Sequence, residues 1–183
     1  MGFLFRRGKR GQPPPSDGKP ESPYEALRQM ALRATPALAS FDTSSTDRTV
    51  YGAVLDWGFD GYSATAFALF DGTASLYLST GGGVIGGHGH DWARSAGVAF
   101  ICAFEPFVAT MNSDPGGDLP PPGSTDLRAL TTRGRLVVRA TTDQLSNRQH
   151  PMAPVWMAGQ ELIAALRAST EDPKHPPQVL ERR

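Results

Sequence analysis

The chain has 183 residues, a length that fits one domain with flanking segments better than several domains. Its 18 lysines and arginines balance 18 aspartates and glutamates, which excludes a uniformly basic nucleic-acid binder and a uniformly acidic tail protein. The single cysteine, Cys102, excludes an internal disulfide bond and a zinc site built from several cysteines.

Residues 1–22 are basic and rich in proline, so we expect a disordered leader there. Residues 1–20 carry five positive charges and one negative charge. The aromatic start and the arginines after it are also compatible with weak contact between residues 1–10 and an anionic membrane surface or a partner. The prolines and charges of residues 171–183 predict a second disordered tail, which leaves residues 23–170 as the folded domain.

The first helix is predicted to extend from Pro23 to Ala39. Ser22 and Glu25 have the spacing of a capping box, in which each side chain bonds the backbone N–H of the other residue. Proline suits the first helical position, and apolar residues then recur at helical spacing. Pro36 is expected to end or kink this helix, because proline lacks the N–H group that a helix interior requires.

Three apolar segments, at residues 50–57, 64–70 and 73–79, predict an antiparallel meander of strands. Asp60-Gly61 lies between the first two segments, and Asp71-Gly72 separates the last two. An Asp-Gly pair between apolar segments is a strong hairpin signal, because type I′ turns need a positive φ at both central residues.

Residues 80–91 form a loop in which six of the twelve residues are glycine. The loop leads into a predicted helix with Asp91 as its N-cap, and the free N–H groups at a helix N-terminus attract phosphate, carboxylate or sulfate. The candidate ligand-binding residues are Gly81, Gly82, Gly83, Gly86, Gly87, His88, His90 and Asp91. The alternatives are a structural loop, in which glycines permit a sharp bend or a close backbone approach, and a loop at a dimer interface.

No cofactor or metal is predicted at this loop. Gly81, Gly83 and Gly86 fit the G-x-G-x-x-G pattern, but a dinucleotide fold also needs parallel strands and an acidic residue about 20 positions later. His88 and His90 point the same way in an extended segment, yet a complete metal site needs a further ligand from elsewhere.

No catalytic residue is predicted either. The chain lacks the G-x-S-x-G elbow of serine hydrolases, and Cys102 lies in its most apolar stretch, where a thiol is usually inert packing. Asp56 and Asp60 resemble an acid/base pair, but turn chemistry explains Asp60-Gly61 better. The sequence therefore favours a non-enzymatic role over an enzymatic one.

A helix is predicted from Trp92, and from residue 96 to residue 104 it is apolar on nearly every face. Pro106 is expected to kink or end it, with residues 107–111 continuing as another turn. A helix of this kind is buried or lies at a subunit interface. We therefore expect self-association through residues 92–111 or through the edge of the sheet, with cover by another helix of the same chain as the alternative.

Residues 127–132 and 135–141 predict a second hairpin, which a polar linker at 143–154 joins to a final helix at 155–168. Four arginines lie on this hairpin: Arg128, Arg133, Arg135 and Arg139. The last three are separated by even numbers of residues, so they share one strand face. This patch is either a site for phosphate or an acidic partner, or a solvated strand face.

The predicted elements indicate a mixed helix-and-strand fold, α/β in the broad sense and α+β in detail. One mostly antiparallel five-stranded sheet, ordered as three strands, helix, two strands and helix, is covered by helices. This order resembles the profilin-like and roadblock/longin group of small regulatory domains, although that group has two strands before the middle helix and three after it. The segment DGTASLYLSTGGGVIGG, which ends at Gly87, also resembles a group of uncharacterised bacterial proteins. That resemblance covers roughly residues 50–168 and implies no particular activity.

These features lead to the hypothesis of a cytoplasmic, non-enzymatic interaction or regulatory module that forms a homodimer or docks into a larger bacterial complex. We expect a protein partner and no sequence-specific nucleic acid. No apolar run reaches the ~20 residues of a membrane span. The alternative is a small-ligand or anion-binding protein, or a modest hydrolase, that uses residues 80–91.

Overall fold

The computed structural model describes residues 22–44, 48–86, 89–170 and 178–179. The predicted leader at 1–22 and tail at 171–183 therefore lie almost entirely outside the described residues. Between them, the chain forms one antiparallel sheet with helices packed against it, so the α+β class is confirmed.

The first helix, α1 (Pro23–Leu32), begins at the predicted capping box. The Ser22 N–H donates to the Glu25 carboxylate at 2.8 Å, and the Glu25 N–H donates to the Ser22 hydroxyl at 3.2 Å. The predicted extension to Ala39 was wrong, because the helix ends at Leu32 and turns follow. Pro36 contributes to this early end, because in a continued helix it has no N–H for the Leu32 carbonyl and its ring would clash with that carbonyl.

The predicted meander is confirmed as β1 (Val50–Phe59), β2 (Tyr62–Leu69) and β3 (Ala74–Leu78), each antiparallel to the next. Both Asp-Gly pairs lie in the connecting turns, where Gly61 has a φ of 79° and Gly72 a φ of 95°. These left-handed conformations are the reason that the turns require glycine, but neither Asp60 nor Asp71 has a positive φ, so the expectation of type I′ turns was wrong.

The prediction of a five-stranded sheet was wrong, because the sheet has seven strands between residues 50 and 141. The other four are β4 (Gly83–Ile85), β5 (Asn112–Ser113), β6 (Ser124–Thr131) and β7 (Gly134–Thr141). The two unpredicted strands, β4 and β5, are three and two residues long and lie in segments rich in glycine and proline, so they carry no periodic signal.

The order of the strands across the sheet is β5-β7-β6-β1-β2-β3-β4. A further two-residue strand, β8 (Gln178–Val179), pairs antiparallel with β4 at the edge. The β6–β7 hairpin therefore joins the meander through β1, which lies near the middle of the sheet.

The remaining helices are α2 (Asp91–Cys102), α3 (Thr142–Ser146) and α4 (Ala153–Ser169), and a short 3-10 helix spans Glu105–Thr110. Asp91 was predicted as the N-cap of α2, but His90 takes that position and Asp91 opens the first turn. The segment predicted as a polar linker contains α3, which begins at a second capping box formed by Thr141 and Gln144.

On one face of the sheet, α2 and α4 pack side by side and antiparallel. Gly97 of α2 lies against Leu162 of α4, whereas Phe100, later in α2, lies against Gly159, earlier in α4. A Cβ atom on Gly159 would come within 2.6 Å of the Leu55 side chain, so this glycine lets α4 approach β1 closely. The helix α4 is thus the second cover that the apolar helix α2 requires. Among the described residues, no helix combines the length and apolarity needed to span a bilayer.

The opposite face of the sheet carries a smaller apolar core and a group of charged side chains. Helix α1 and the residues after it pack on this face through Ala31 and Leu32, which meet Tyr51 and Phe67 of the sheet. Beside this small core, alternation along β1 and β6 turns Asp56, Asp126 and Arg128 toward the same side. These charged residues begin the site described next.

Candidate functional site

Seven charged residues form one connected network on the α1 face of the sheet, and we call it the arginine–aspartate cluster. Its members are Arg28, Asp56, Asp114, Asp126, Arg128, Arg135 and Arg139. Strands β1, β6 and β7, helix α1 and the segment after β5 each contribute at least one of them. The cluster therefore joins distant parts of the chain.

Asp56 is the innermost carboxylate and is fully buried. Arg28 binds both of its oxygens, through Nε at 3.0 Å and Nη2 at 2.7 Å. The Thr65 hydroxyl donates to Oδ1 at 2.5 Å, and Arg128 Nη1 donates to Oδ2. Because two guanidinium groups and a hydroxyl surround it, this carboxylate has the partners that a buried charge requires.

Arg128 is the innermost arginine, with 1% of its surface exposed. Beyond its bond to Asp56, its Nε donates to Asp114 at 2.8 Å and its Nη2 donates to Asp126 at 2.6 Å. Nη2 also donates to the backbone carbonyl of Asp118. One guanidinium thus links β1, β6 and the segment that follows β5.

Two outer arginines complete the cluster toward solvent. Arg139, whose side chain is 48% exposed, binds both oxygens of Asp126 at 2.6 Å. Arg135 donates to the Asp114 carboxylate at 2.7 Å and to the Asp114 carbonyl at 2.8 Å. Each carboxylate of the cluster is therefore bound by two arginines.

The surroundings of Asp114 and Arg28 in the cluster favour the charged forms of these two residues. Burial alone would raise the pKa of Asp114, but Arg128, the Gly117 N–H and Arg135 together hold it below its usual value. Burial likewise opposes the charge on Arg28, yet its bonds to Asp56 raise the Arg28 pKa above the ordinary value. The carboxylate and guanidinium groups thus act as mutual counter-ions.

Tyr24 extends the network along α1. Its hydroxyl lies 2.9 Å from Thr65 Oγ1, and because the Thr65 hydrogen already points to Asp56, Tyr24 is the donor. Burial raises the pKa of Tyr24 to about 12, so the tyrosine stays neutral and keeps this hydrogen bond at ordinary pH.

A pocket of about 460 Å³ lies beside the cluster. Residues of the segment 112–118 line it together with Asp126, Val137 and Arg139. Asp118 is an exposed lining residue of this pocket, and its backbone carbonyl accepts hydrogen bonds from Arg28 and Arg128 of the cluster. The polar wall of the pocket is thus built mainly from groups that already bind one another.

The predicted ligand-binding glycines adopt backbone conformations that require glycine. Gly81, Gly82 and Gly86 have φ values of 87°, 87° and 83°. Gly83 belongs to β4, with a φ of 152°, and a Cβ atom there would lie 2.2 Å from the Leu76 carbonyl oxygen. Tight pairing with β3 therefore accounts for this part of the loop.

The remaining predicted loop residues have different surroundings. Gly87 and His88 lie outside the described residues. His90 is buried, and its ring centroid lies 4.8 Å from that of Trp92. Asp91 is exposed in the first turn of α2. Ligand binding by this loop stays a prediction.

Two side chains outside the cluster, the candidate Cys102 and Glu105, which was not a candidate, have defined partners. Arg48 Nη1 donates to the Cys102 thiol at 3.3 Å, and the thiol is half-buried rather than enclosed. The Glu105 carboxylate accepts from the backbone N–H groups of Thr49 and Val50 at 3.0 and 3.1 Å, which ties the 3-10 helix to the start of β1. Within the described ranges, no group of three or more His, Cys, Asp or Glu side chains has the arrangement of a metal site.

The sequence pointed to part of the cluster. Arg128, Arg135 and Arg139 do meet on one side of the hairpin, but they bind buried aspartates instead of forming a solvated face, and Arg133 lies in the exposed turn. The contributions of Arg28 and Asp114 come from distant segments and were not predicted. One sequence signal was present, since Asp56 interrupts the apolar residues of β1 and Arg128 interrupts the apolar residues at 127–130 of β6.

Comparison with known proteins adds no relative. No protein-family model, no curated protein and no solved structure matches the chain. The functional argument therefore rests on the geometry described above.

Proposed function

We propose that this chain is a non-enzymatic protein-interaction domain that self-associates through the outer surface of α2 and α4. The observation that carries the proposal is the exposure of two large apolar side chains on this helical layer. Trp92 of α2 is 47% exposed and Met157 of α4 is 46% exposed. Tryptophan and methionine are enriched at protein interfaces, and tryptophan often supplies much of the binding energy.

The surface between these two side chains supports the same proposal. Three exposed alanines lie on the outward faces of the two helices: Ala99, Ala164 and Ala168. Because α2 and α4 run antiparallel on the sheet, Trp92 and Met157 lie toward opposite ends of the layer. The small side chains allow the helices of a second copy to approach closely, and the exposed Glu161 lies on the same face of α4, between Met157 and Ala164.

The arginine–aspartate cluster supports a non-enzymatic role. Each of its carboxylates forms ion pairs with two arginines, so the charged groups that the sheet brings together neutralise one another. The cluster fastens α1 and the segment 114–118 to the sheet, which is a structural task. The outer surface of α2 and α4, on the other side of the sheet from the cluster, is then the surface that remains for a partner.

Sedimentation velocity tests the proposal. We expect the unmodified chain to dimerise at tens of micromolar, which corresponds to about 6 kcal/mol of association free energy. Ala164→Glu adds a second negative charge beside Glu161 in the middle of the surface, and Trp92→Ala removes its aromatic anchor. Each substitution should weaken association about 30-fold or more, the effect of losing roughly 2 kcal/mol.

The matched control is Met30→Glu. Met30 is a large exposed apolar residue on α1, at the other face of the sheet, so its substitution should leave the dimer unchanged. A strictly monomeric chain at these concentrations, or equal weakening by the control and by Ala164→Glu, would contradict self-association through the helical layer.

A further inference from the structure

The pocket beside the arginine–aspartate cluster has two polar groups that the cluster does not use. Its carboxylates at Asp114 and Asp126 are each bound by two arginines. In contrast, the Asp118 carboxylate and Nη1 of Arg139 form no hydrogen bond with any of the described residues. The pocket volume of about 460 Å³ falls within the range of about 300–1,000 Å³ that small-molecule sites occupy. We therefore asked which ligand these two groups would bind.

Asp126 holds Arg139 in one orientation. The Asp126 carboxylate is fully buried, and its two oxygens accept from Nε and Nη2 of Arg139, each at 2.6 Å. This two-point contact fixes the plane of the guanidinium group. Arg139 lines the pocket with a side chain that is 48% exposed, so Nη1 can donate to a bound carboxylate while the contact with Asp126 is kept.

Asp118 is held at the wall of the same pocket. Its backbone carbonyl accepts from two buried arginines of the cluster, which anchors this residue to the sheet. Its Oδ2 lies 3.3 Å from the position that a Cβ atom on Gly116, another lining residue, would occupy. The hydrogen bonds to Asp126 raise the pKa of Arg139 above its ordinary value, and the Asp118 charge adds to this rise. The carboxylate of Asp118 and the guanidinium of Arg139 thus lie within electrostatic reach of each other.

The charges of the pocket favour a ligand that carries both signs. The cluster contains four arginines and three aspartates, so one positive charge is not neutralised within it. A simple anion such as phosphate would be attracted by Arg139 but repelled by Asp118, and a simple cation would meet the reverse. A molecule with one carboxylate and one ammonium group pairs with both residues. Pro115 and Val137 add apolar surface to the lining.

We propose that this pocket binds a free α-amino acid with an apolar side chain, whose carboxylate accepts from Arg139 and whose ammonium group donates to Asp118. The side chain of the ligand lies against Val137 and Pro115. Because neighbouring groups already hold Arg139 and the backbone of Asp118, binding costs little ordering of the protein. The site lies on the α1 face of the sheet, so the inference does not depend on self-association through α2 and α4.

Titration of the full chain with L-leucine, followed by proton–nitrogen correlation spectra, tests the proposal. We expect leucine to bind with a Kd of about 1 mM or tighter and to shift the amide signals of residues 112–118 and 137–139. Two analogues each lack one charged group of leucine: leucinamide has no carboxylate, and isocaproate has no ammonium group. Each analogue should bind about fivefold more weakly than leucine, or worse.

Substitutions at the two polar groups separate their contributions. Asp118→Asn removes the free negative charge but retains the backbone carbonyl that the arginines bind. It should weaken leucine binding about fivefold and narrow the difference between leucine and isocaproate. Arg139→Lys retains a positive charge beside Asp126 and should weaken leucine and isocaproate by similar factors. The matched control is Asp60→Asn, in the exposed turn between β1 and β2, which should leave the leucine affinity unchanged.

The results decide the inference without reference to the oligomeric state. Leucine binding at the lining residues that is lost in both analogues and in Asp118→Asn supports the proposal. It is overturned if leucine at about 10 mM shifts none of these signals, or if either analogue binds as tightly as leucine. Equal leucine affinities in Asp118→Asn and Asp60→Asn also overturn it. Sedimentation measures self-association separately, so failure of one proposal leaves the other standing.

Discussion

At the scale of single residues, Arg128 has the widest set of partners in the cluster. It donates to Asp56, Asp114, Asp126 and a backbone carbonyl from a nearly inaccessible position. Desolvation makes buried charges expensive, and only complete pairing compensates for it. The arrangement is therefore stable as a unit and sensitive to the loss of any one member.

We predict that Arg128→Met lowers the free energy of unfolding by about 3–5 kcal/mol, the range for breaking a buried ion pair from one side. Methionine retains much of the side-chain length but leaves three buried carboxylates each with one arginine fewer. Urea unfolding followed by tryptophan fluorescence measures the change. Arg133→Met, in the exposed turn of the same hairpin, should change stability by less than about 0.5 kcal/mol, and equal losses in the two variants would contradict the structural role of the cluster.

At the scale of elements, local chemistry predicted the parts whose signals lie within a few residues. The capping box at Ser22 and Glu25 located the start of α1, and the Asp-Gly pairs located both turns of the meander. Strand β4 was missed because it lies inside the glycine-rich loop, and β5 was missed because it is two residues long and pairs with the distant strand β7. The end of α1 was missed because apolar spacing continued past the point where Pro36 disrupts the helix.

The candidate site was less accessible to sequence reasoning than the fold. Even spacing brought Arg135 and Arg139 together on one face, but their aspartate partners come from other strands and segments. Arg28 and Asp56 are 28 residues apart in the sequence, and no pattern of nearby residues predicts that they form an ion pair. Only tertiary packing distinguishes such an internal ion pair from a solvated patch.

The attachment of α1 to the sheet gives a prediction about alkaline pH. The pKa of Tyr24 is about 12 in the folded chain and about 10 in an unfolded chain, so between these values the unfolded state loses its proton first. Stability that is fully present below pH 10 should therefore fall as the pH rises toward 12. In Tyr24→Phe this part of the decline should be absent, because phenylalanine has no proton to lose.

Thermal unfolding of both chains from pH 8 to 11.5 measures this difference. Tyr62→Phe is the matched control, because Tyr62 is an exposed tyrosine at the start of β2. A decline of the same slope in the Tyr24→Phe chain would show that burial of Tyr24 does not couple to folding.

At the scale of the whole molecule, the two faces of the sheet have different roles. The face under α2 and α4 holds the larger apolar core and carries the surface proposed for self-association. The other face combines a small apolar core with the arginine–aspartate cluster, and α1 covers both. Helix α1 is only ten residues long, so its contacts with the sheet, rather than its own helical propensity, must hold it in place.

Two shortened chains test this division of roles. A chain that begins at Glu21 keeps the capping box of α1 and every contact of the cluster, so we predict a melting temperature within about 2 °C of the full chain. A chain that begins at Arg33 lacks α1, which leaves Asp56 without Arg28 and uncovers the small core. Its melting temperature should fall by about 6 °C or more, as expected for a loss of at least 3 kcal/mol.

Differential scanning calorimetry compares the three chains. A large fall in the chain from Glu21 would show that residues 1–20 stabilise the domain, and an unchanged melting temperature in the chain from Arg33 would contradict the role assigned to α1 and the cluster.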